Sequence, residues 1–116
     1  WYENAIGIAS SEGPGDDGEY DYVHMRNIYD TKLEPFTYTY GYELYDGSQG
    51  GEDAPGNPNS TTVNTAVNSG ASIINYVGHG SDNSWSTSGF SSSNVNGLTN
   101  VNRLPFIISV ACVNGN

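Results

Sequence analysis

Cysteine is almost absent. The single residue, Cys112, permits no internal disulfide and excludes a zinc centre built on several thiolates. Positive charge is nearly as scarce: 3 Lys and Arg face 13 Asp and Glu, a formal net charge of −10. So acidic a surface repels phosphate, which argues against nucleic acid or an anionic membrane as partner. It attracts cations, either calcium or substrates that carry Lys or Arg. No apolar run approaches the roughly 18–20 residues of a membrane span, so membrane insertion is not expected. No signal peptide is visible, but Trp1 does not read as a biological start, so this says nothing about export. There is no repeat of fixed period. Hydrophobic residues make up 35% of the chain, below the ~45–50% usual for globular proteins, a figure that also counts Gly. Nine tyrosines compensate by supplying large core side chains. At 116 residues the chain is one domain or a piece of a larger one. Abundant Asn, Ser, Gly and Tyr with little Lys hints at a secreted or surface protein.

Hydrophobic patterning divides the chain into alternating strands and helices. Ala5–Ala9 is a short apolar run, followed by a Gly/Asp/Pro loop over 10–18. From about Glu19 to Leu33 the pattern is helical, with Tyr22, Met25, Tyr29 and Leu33 on one face, and Pro35 closes it. Phe36–Tyr45 favours a strand. The stretch 46–59 is a surface loop. Asn59 or Ser60 caps a short helix with Val63, Ala66 and Val67 on its apolar face, and Gly70 ends it. Ala71–Gly78 and Leu104–Ala111 are a third and a fourth strand, with a polar crossover between them and one helical turn near Val95–Leu98. The alternation predicts an α/β fold, a mainly parallel sheet flanked by helices. Continuous apolar strands three and four predict burial on both faces.

Ligands of open α/β sheets bind beyond the carboxyl ends of the strands. There lie Glu12 after strand one, Gly78-His79-Gly80 after strand three and Cys112 after strand four, with Asp21 at the entrance of the first helix. A Cys–His pair is the simplest apparatus for covalent acyl transfer, with a thiolate nucleophile and an imidazole handling protons. Peptide N–H groups beside the flanking glycines can stabilise an oxyanion. Each residue also has a plainer reading. A lone Cys ending an apolar strand is usually a buried small hydrophobe. Gly-His-Gly alone is a weak signal. Glu12 and Asp21 read as surface or calcium-facing charges, His24 as a surface or capping residue, and Trp85 as core or substrate wall. The loops Gly13–Gly18 and Asp46–Asn57 combine carboxylates with Gly-rich backbone, the oxygen donors calcium takes, or are merely solvated acidic loops.

Longer blocks change the balance. Asn75-Tyr76-Val77-Gly78-His79-Gly80-Ser81, Trp85, Leu98-Thr99-Asn100, Leu104-Pro105-Phe106-Ile107 and Val110-Ala111-Cys112-Val113-Asn114-Gly115 resemble the gingipain family of cysteine peptidases. The 33-residue separation of His79 and Cys112 agrees, as do Gly7-Ile8-Ala9-Ser10, Glu12-Gly13, Gly18-Glu19 and Asp21. The resemblance implies a caspase-like fold. In it Cys112 is the nucleophile, His79 the general acid/base and Glu12 a carboxylate that orients or stabilises the ring. Gly80 and Cys112 amides form the oxyanion hole. Asp21, Val77 and Val110 bind substrate, with Asp21 at the floor of a pocket for Arg, or else Lys. Val77 departs from the Thr of the arginine-specific members. The resemblance implies no cofactor for catalysis, structural calcium on ligands not assigned to single residues, and secretion or display on a bacterial cell surface. Partners would be protein or peptide substrates with basic residues. The family's catalytic domain starts earlier and continues well past Cys112. Residues 1–116 are therefore expected to be part of a single caspase-like catalytic domain, incomplete at both ends, whose remainder is itself a partner. Two other functions compete: a type IX secretion sortase-like signal peptidase or transpeptidase with the same dyad, and a non-catalytic calcium-binding surface module.

Overall fold

The computed structural model describes residues 1–114; Gly115, the end of the last quoted block, lies outside them. Four parallel strands form one sheet: β1 (Asn4–Ala9), β2 (Tyr40–Tyr45), β3 (Ile73–Val77) and, at one edge, the strand Phe106–Val110. Between the last two comes a small antiparallel hairpin, β4 (Gly80–Ser81) and β5 (Ser84–Trp85), so the edge strand is β6. The order is β2-β1-β3-β6. After β2 the chain crosses back over β1 to place β3 on its other side, so the strand order reverses between β1 and β3.

Alternation along the strands sorts the core into two layers. Ile6, Ile8, Leu44, Ile74 and Tyr76 face one way and meet Val63, Ala66 and Val67 of α2 (Ser60–Ser69), together with Trp85 and Phe90. Asn59 starts α2 with a reciprocal capping box to Thr62, and Gly70, at φ +100°, ends it. On the other face Ala9 and Tyr45 meet Met25 of α1 (Asp21–Ile28). A Cβ on Gly7 would lie 2.7 Å from Met25 Cγ, so glycine there is what lets the helix approach the central strand. Burying Met25 stabilises this layer by ~1.5–3 kcal/mol.

Three expectations are revised. The first helix passes into a π-helical turn over Tyr29–Leu33, and the amides of Thr37 and Tyr38 both bond to the Leu33 carbonyl. That wrapping uses up residues 36–39, so β2 starts at Tyr40 and Phe36 is exposed. The last helical turn, α3, lies at Ser92–Val95 rather than Val95–Leu98, because Ser91 and Asn94 form its capping box. β3 is buried as expected. β6 is exposed along its whole length, with Phe106 at 70% and Val110 at 61%, because among the described residues no strand or helix covers it. Apolar continuity marks a strand suited to burial, and among the described residues nothing supplies the covering layer.

Candidate active site

Register builds the site. Ala9 is level with Tyr45 and Val77, and Val77 is level with Val110. The ladder runs one step further, with Ser10 N–H donating to Val77 O (3.1 Å) and Gly78 N–H to Val110 O (3.2 Å). His79 and Cys112 each stand two residues beyond a paired position, on adjacent strands that lie roughly 4.8 Å apart. Both therefore leave the same edge side by side. Cys112 is exposed, as is the whole of the strand that leads to it.

Glu12 closes on His79 from β1, across the reversal in strand order. His79 Nε2 lies 2.8 Å from Glu12 Oε2, with both side chains about two-thirds exposed. A carboxylate only accepts, so Nε2 carries the proton and a neutral ring keeps Nδ1 as its acceptor.

Ser10 anchors the acidic side of this edge, a role the sequence reading did not assign. It is buried, and its Oγ donates to Asp21 Oδ2 (2.5 Å) while accepting from the Glu12 amide (3.1 Å). The Asp21 amide in turn donates to the Glu12 carbonyl (2.9 Å). One hydroxyl thus ties the Asp21 carboxylate to the backbone of Glu12. Asp21 and Val77 line a shared cleft with Asp16, Asp17, Glu19 and His24. Val110 is level with Val77 and projects to the same face, exposed.

The histidine loop rests on aromatic packing. Trp85 stacks on Tyr76 at 4.6 Å and 5° and is 9% exposed, so it is core rather than substrate wall. Tyr76 OH donates to the His79 carbonyl and accepts from the Thr87 amide (3.2 Å). Thr87 Oγ1 donates to Asp46 Oδ2 (2.6 Å). The hairpin carrying Gly80 was also missed. Its signal was present in Asp82-Asn83, a two-residue turn pair between the short strands.

The calcium-candidate loops differ. In 46–57, Asp46 is taken by Thr87, Asp53 accepts from the Tyr45 and Gln49 amides, and the Gln49 and Gly50 carbonyls accept from Arg26. Calcium needs six to eight oxygens and fits this loop poorly. At the first loop, Asp17, Glu19 just beyond it and His24 of α1 each bring one ligand atom within 4.8 Å of the others. His24 Nδ1 lies 3.0 Å from Glu19 Oε2. The two carboxylates suit calcium and the imidazole does not, so the fit is partial.

Comparison with known proteins places this geometry in a class. The model of peptidase family C25 matches residues 1–116, and the chain belongs to that family. Among individual relatives, gingipain R2 of Porphyromonas gingivalis is 42% identical over 99% of this chain, and gingipain R1 of the same species matches equally well. The crystal structure of the Arg-specific cysteine proteinase gingipain R superposes over 99% of the chain with a TM-score of 0.87 and 40% identity. The complex of the P. gingivalis RgpB pro- and mature domains gives 0.85 and 41%. The chain spans 14% of gingipain R2, 11% of gingipain R1 and 25% of each solved chain. Among the described residues no helix is long and apolar enough to cross a membrane.

Proposed function

We propose that this chain carries the catalytic centre of a secreted cysteine endopeptidase that cuts after arginine. The observation that carries the reading is the matched register of His79 and Cys112, with Glu12 bonded to the imidazole. In the proposed reaction His79 Nδ1 takes the Cys112 proton and the thiolate attacks the scissile carbonyl. Glu12 stabilises the imidazolium, which then protonates the leaving amine. Water hydrolyses the thioester, with His79 as base. Amides at Gly80 and Cys112 face the developing oxyanion. No cofactor takes part in these steps. Asp21 forms the floor of the primary pocket and Val77 and Val110 its walls. The acidic cleft supports a basic substrate side chain, because a guanidinium is planar, always charged and bonds a carboxylate through two parallel N–H groups. Structural calcium, in this proposal, falls to the first loop. The test is expression of the complete open reading frame, with and without Cys112→Ala, against a peptide library. Cleavage after Arg that vanishes in the variant supports the reading. Cleavage that survives it, or none from either protein, refutes it.

A further inference from the structure

Asn114 makes more contacts than a turn residue needs. Its Oδ1 accepts from Trp85 Nε1 (2.9 Å) and from Ser109 Oγ (2.7 Å). Its Nδ2 donates to the Ser81 carbonyl (2.6 Å). Ser109 precedes Cys112 by three residues and Asn114 follows it by two, so the Ser109–Asn114 bond closes a ring around the cysteine. Ser81 and Trp85 belong to the hairpin that begins at Gly80, directly after His79. The same amide therefore ties the cysteine turn to the histidine loop.

Two further observations fit a fastening under load. Val113, between Cys112 and Asn114, has φ +54°. A β-branched residue adopts that conformation only where its surroundings hold it there. A Cβ on Gly80 would lie 2.6 Å from Asn114 Nδ2 and 3.0 Å from Ala111 Cβ. The absence of a side chain beside His79 makes room for the amide that anchors Cys112.

We propose that Asn114 is the positioning residue of the site, fixing the Cys112 sulfur relative to His79 through the Trp85–Ser109–Asn114–Ser81 network. It touches no reacting atom. This rests on the cysteine-peptidase reading, and the test separates the two. Asn114→Ala and the isosteric Asn114→Asp are made in the complete open reading frame. The aspartate keeps the acceptor and sets a carboxylate against the Ser81 carbonyl.

Both variants should lose about 10–100-fold in kcat, the scale of an ångström-sized misplacement, while KM for an Arg peptide stays within about two-fold. Alkylation of Cys112 by iodoacetamide should slow and lose its dependence on His79: adding His79→Ala should change the rate less than it does in the wild type. Val63→Ala, a cavity under α2 outside the Asn114 hydrogen-bond network, controls for stability, and should lower Tm without moving either readout. If Asn114→Ala does not fold, Asn114→Asp decides alone. If neither folds, the amide is a folding determinant and the proposal is overturned. Unchanged kcat and alkylation in a folded variant overturn it too, and leave the peptidase reading standing. Absence of Cys112-dependent cleavage in the wild type refutes that reading, while the alkylation comparison still decides the role of Asn114.

Discussion

Replacing Asp21 with Asn should cut kcat/KM for Arg substrates by roughly 10–100-fold, a figure that follows from its bonding. Hydrogen bonds to a charged partner contribute ~1.5–3 kcal/mol, against ~0.5–1.5 kcal/mol for neutral ones. A guanidinium on Asp21 makes two, so neutralising the carboxylate removes about 2–3 kcal/mol, or roughly 30–150-fold. Ser10 already occupies Oδ2 at 2.5 Å, so one of the two acceptors is shared and the lower part of that range applies. The assay compares Arg, Lys and citrulline at the residue before the cut. Citrulline keeps the shape without the charge, so its kcat/KM should hardly move. Asp17→Asn provides the contrast. Its side chain is 53% exposed, and an exposed charge at physiological salt is screened within ~8 Å, so the loss should stay below about three-fold. Equal losses for Asp17 and Asp21 would mean that the cleft acts only as a diffuse anionic field. An unchanged Arg rate in Asp21→Asn would remove the pocket-floor assignment.

Glu12→Gln should lower kcat about ten-fold or more by withdrawing the charge that stabilises the imidazolium. Its pairing with His79 is exposed, so urea unfolding should shift by less than about 0.5 kcal/mol. Burial, and next the nearby Glu43 charge, raise the Tyr45 hydroxyl well above its ordinary pKa of 10.0. The folded state then holds a proton that the unfolded state gives up. Full stability persists below about pH 10 and is lost as pH rises through the raised folded value, and Tyr45→Phe should flatten that decline in an alkaline melting series. Calcium should raise Tm of the full-length protein, and Asp17→Asn should abolish the rise; no heat in calorimetry would discard the ion.

Much of the architecture was legible because apolar continuity and helix caps are local. Ala5–Ala9, Ile73–Val77 and the Asn59 cap each carry their instruction within a few residues. The chemistry-bearing positions were legible for a different reason. They follow strand ends, and parallel strands deliver their ends to one edge. The supports were hidden because they are long-range. Nothing near Ser10 announces that its hydroxyl will reach Asp21, and Asn114 looks like loop filler until Trp85 arrives beside it. The exposure of β6 was foreseeable only from the resemblance, since Phe106–Val110 has the composition of a buried strand.

The register of β6 therefore decides whether the three side chains meet at all. Glu12, His79 and Cys112 come from three strands whose mutual pairing is parallel and distant in sequence, the slowest kind of contact to form. A slip of one residue along β6 would turn every side chain on that strand to the opposite face. Cys112 would then no longer stand level with the imidazole. A chain that is half folded, or folded with that edge misaligned, has the thiol and the ring but no dyad. Under the proposed function, the peptidase stays inert in any conformer in which β6 is out of register with β3.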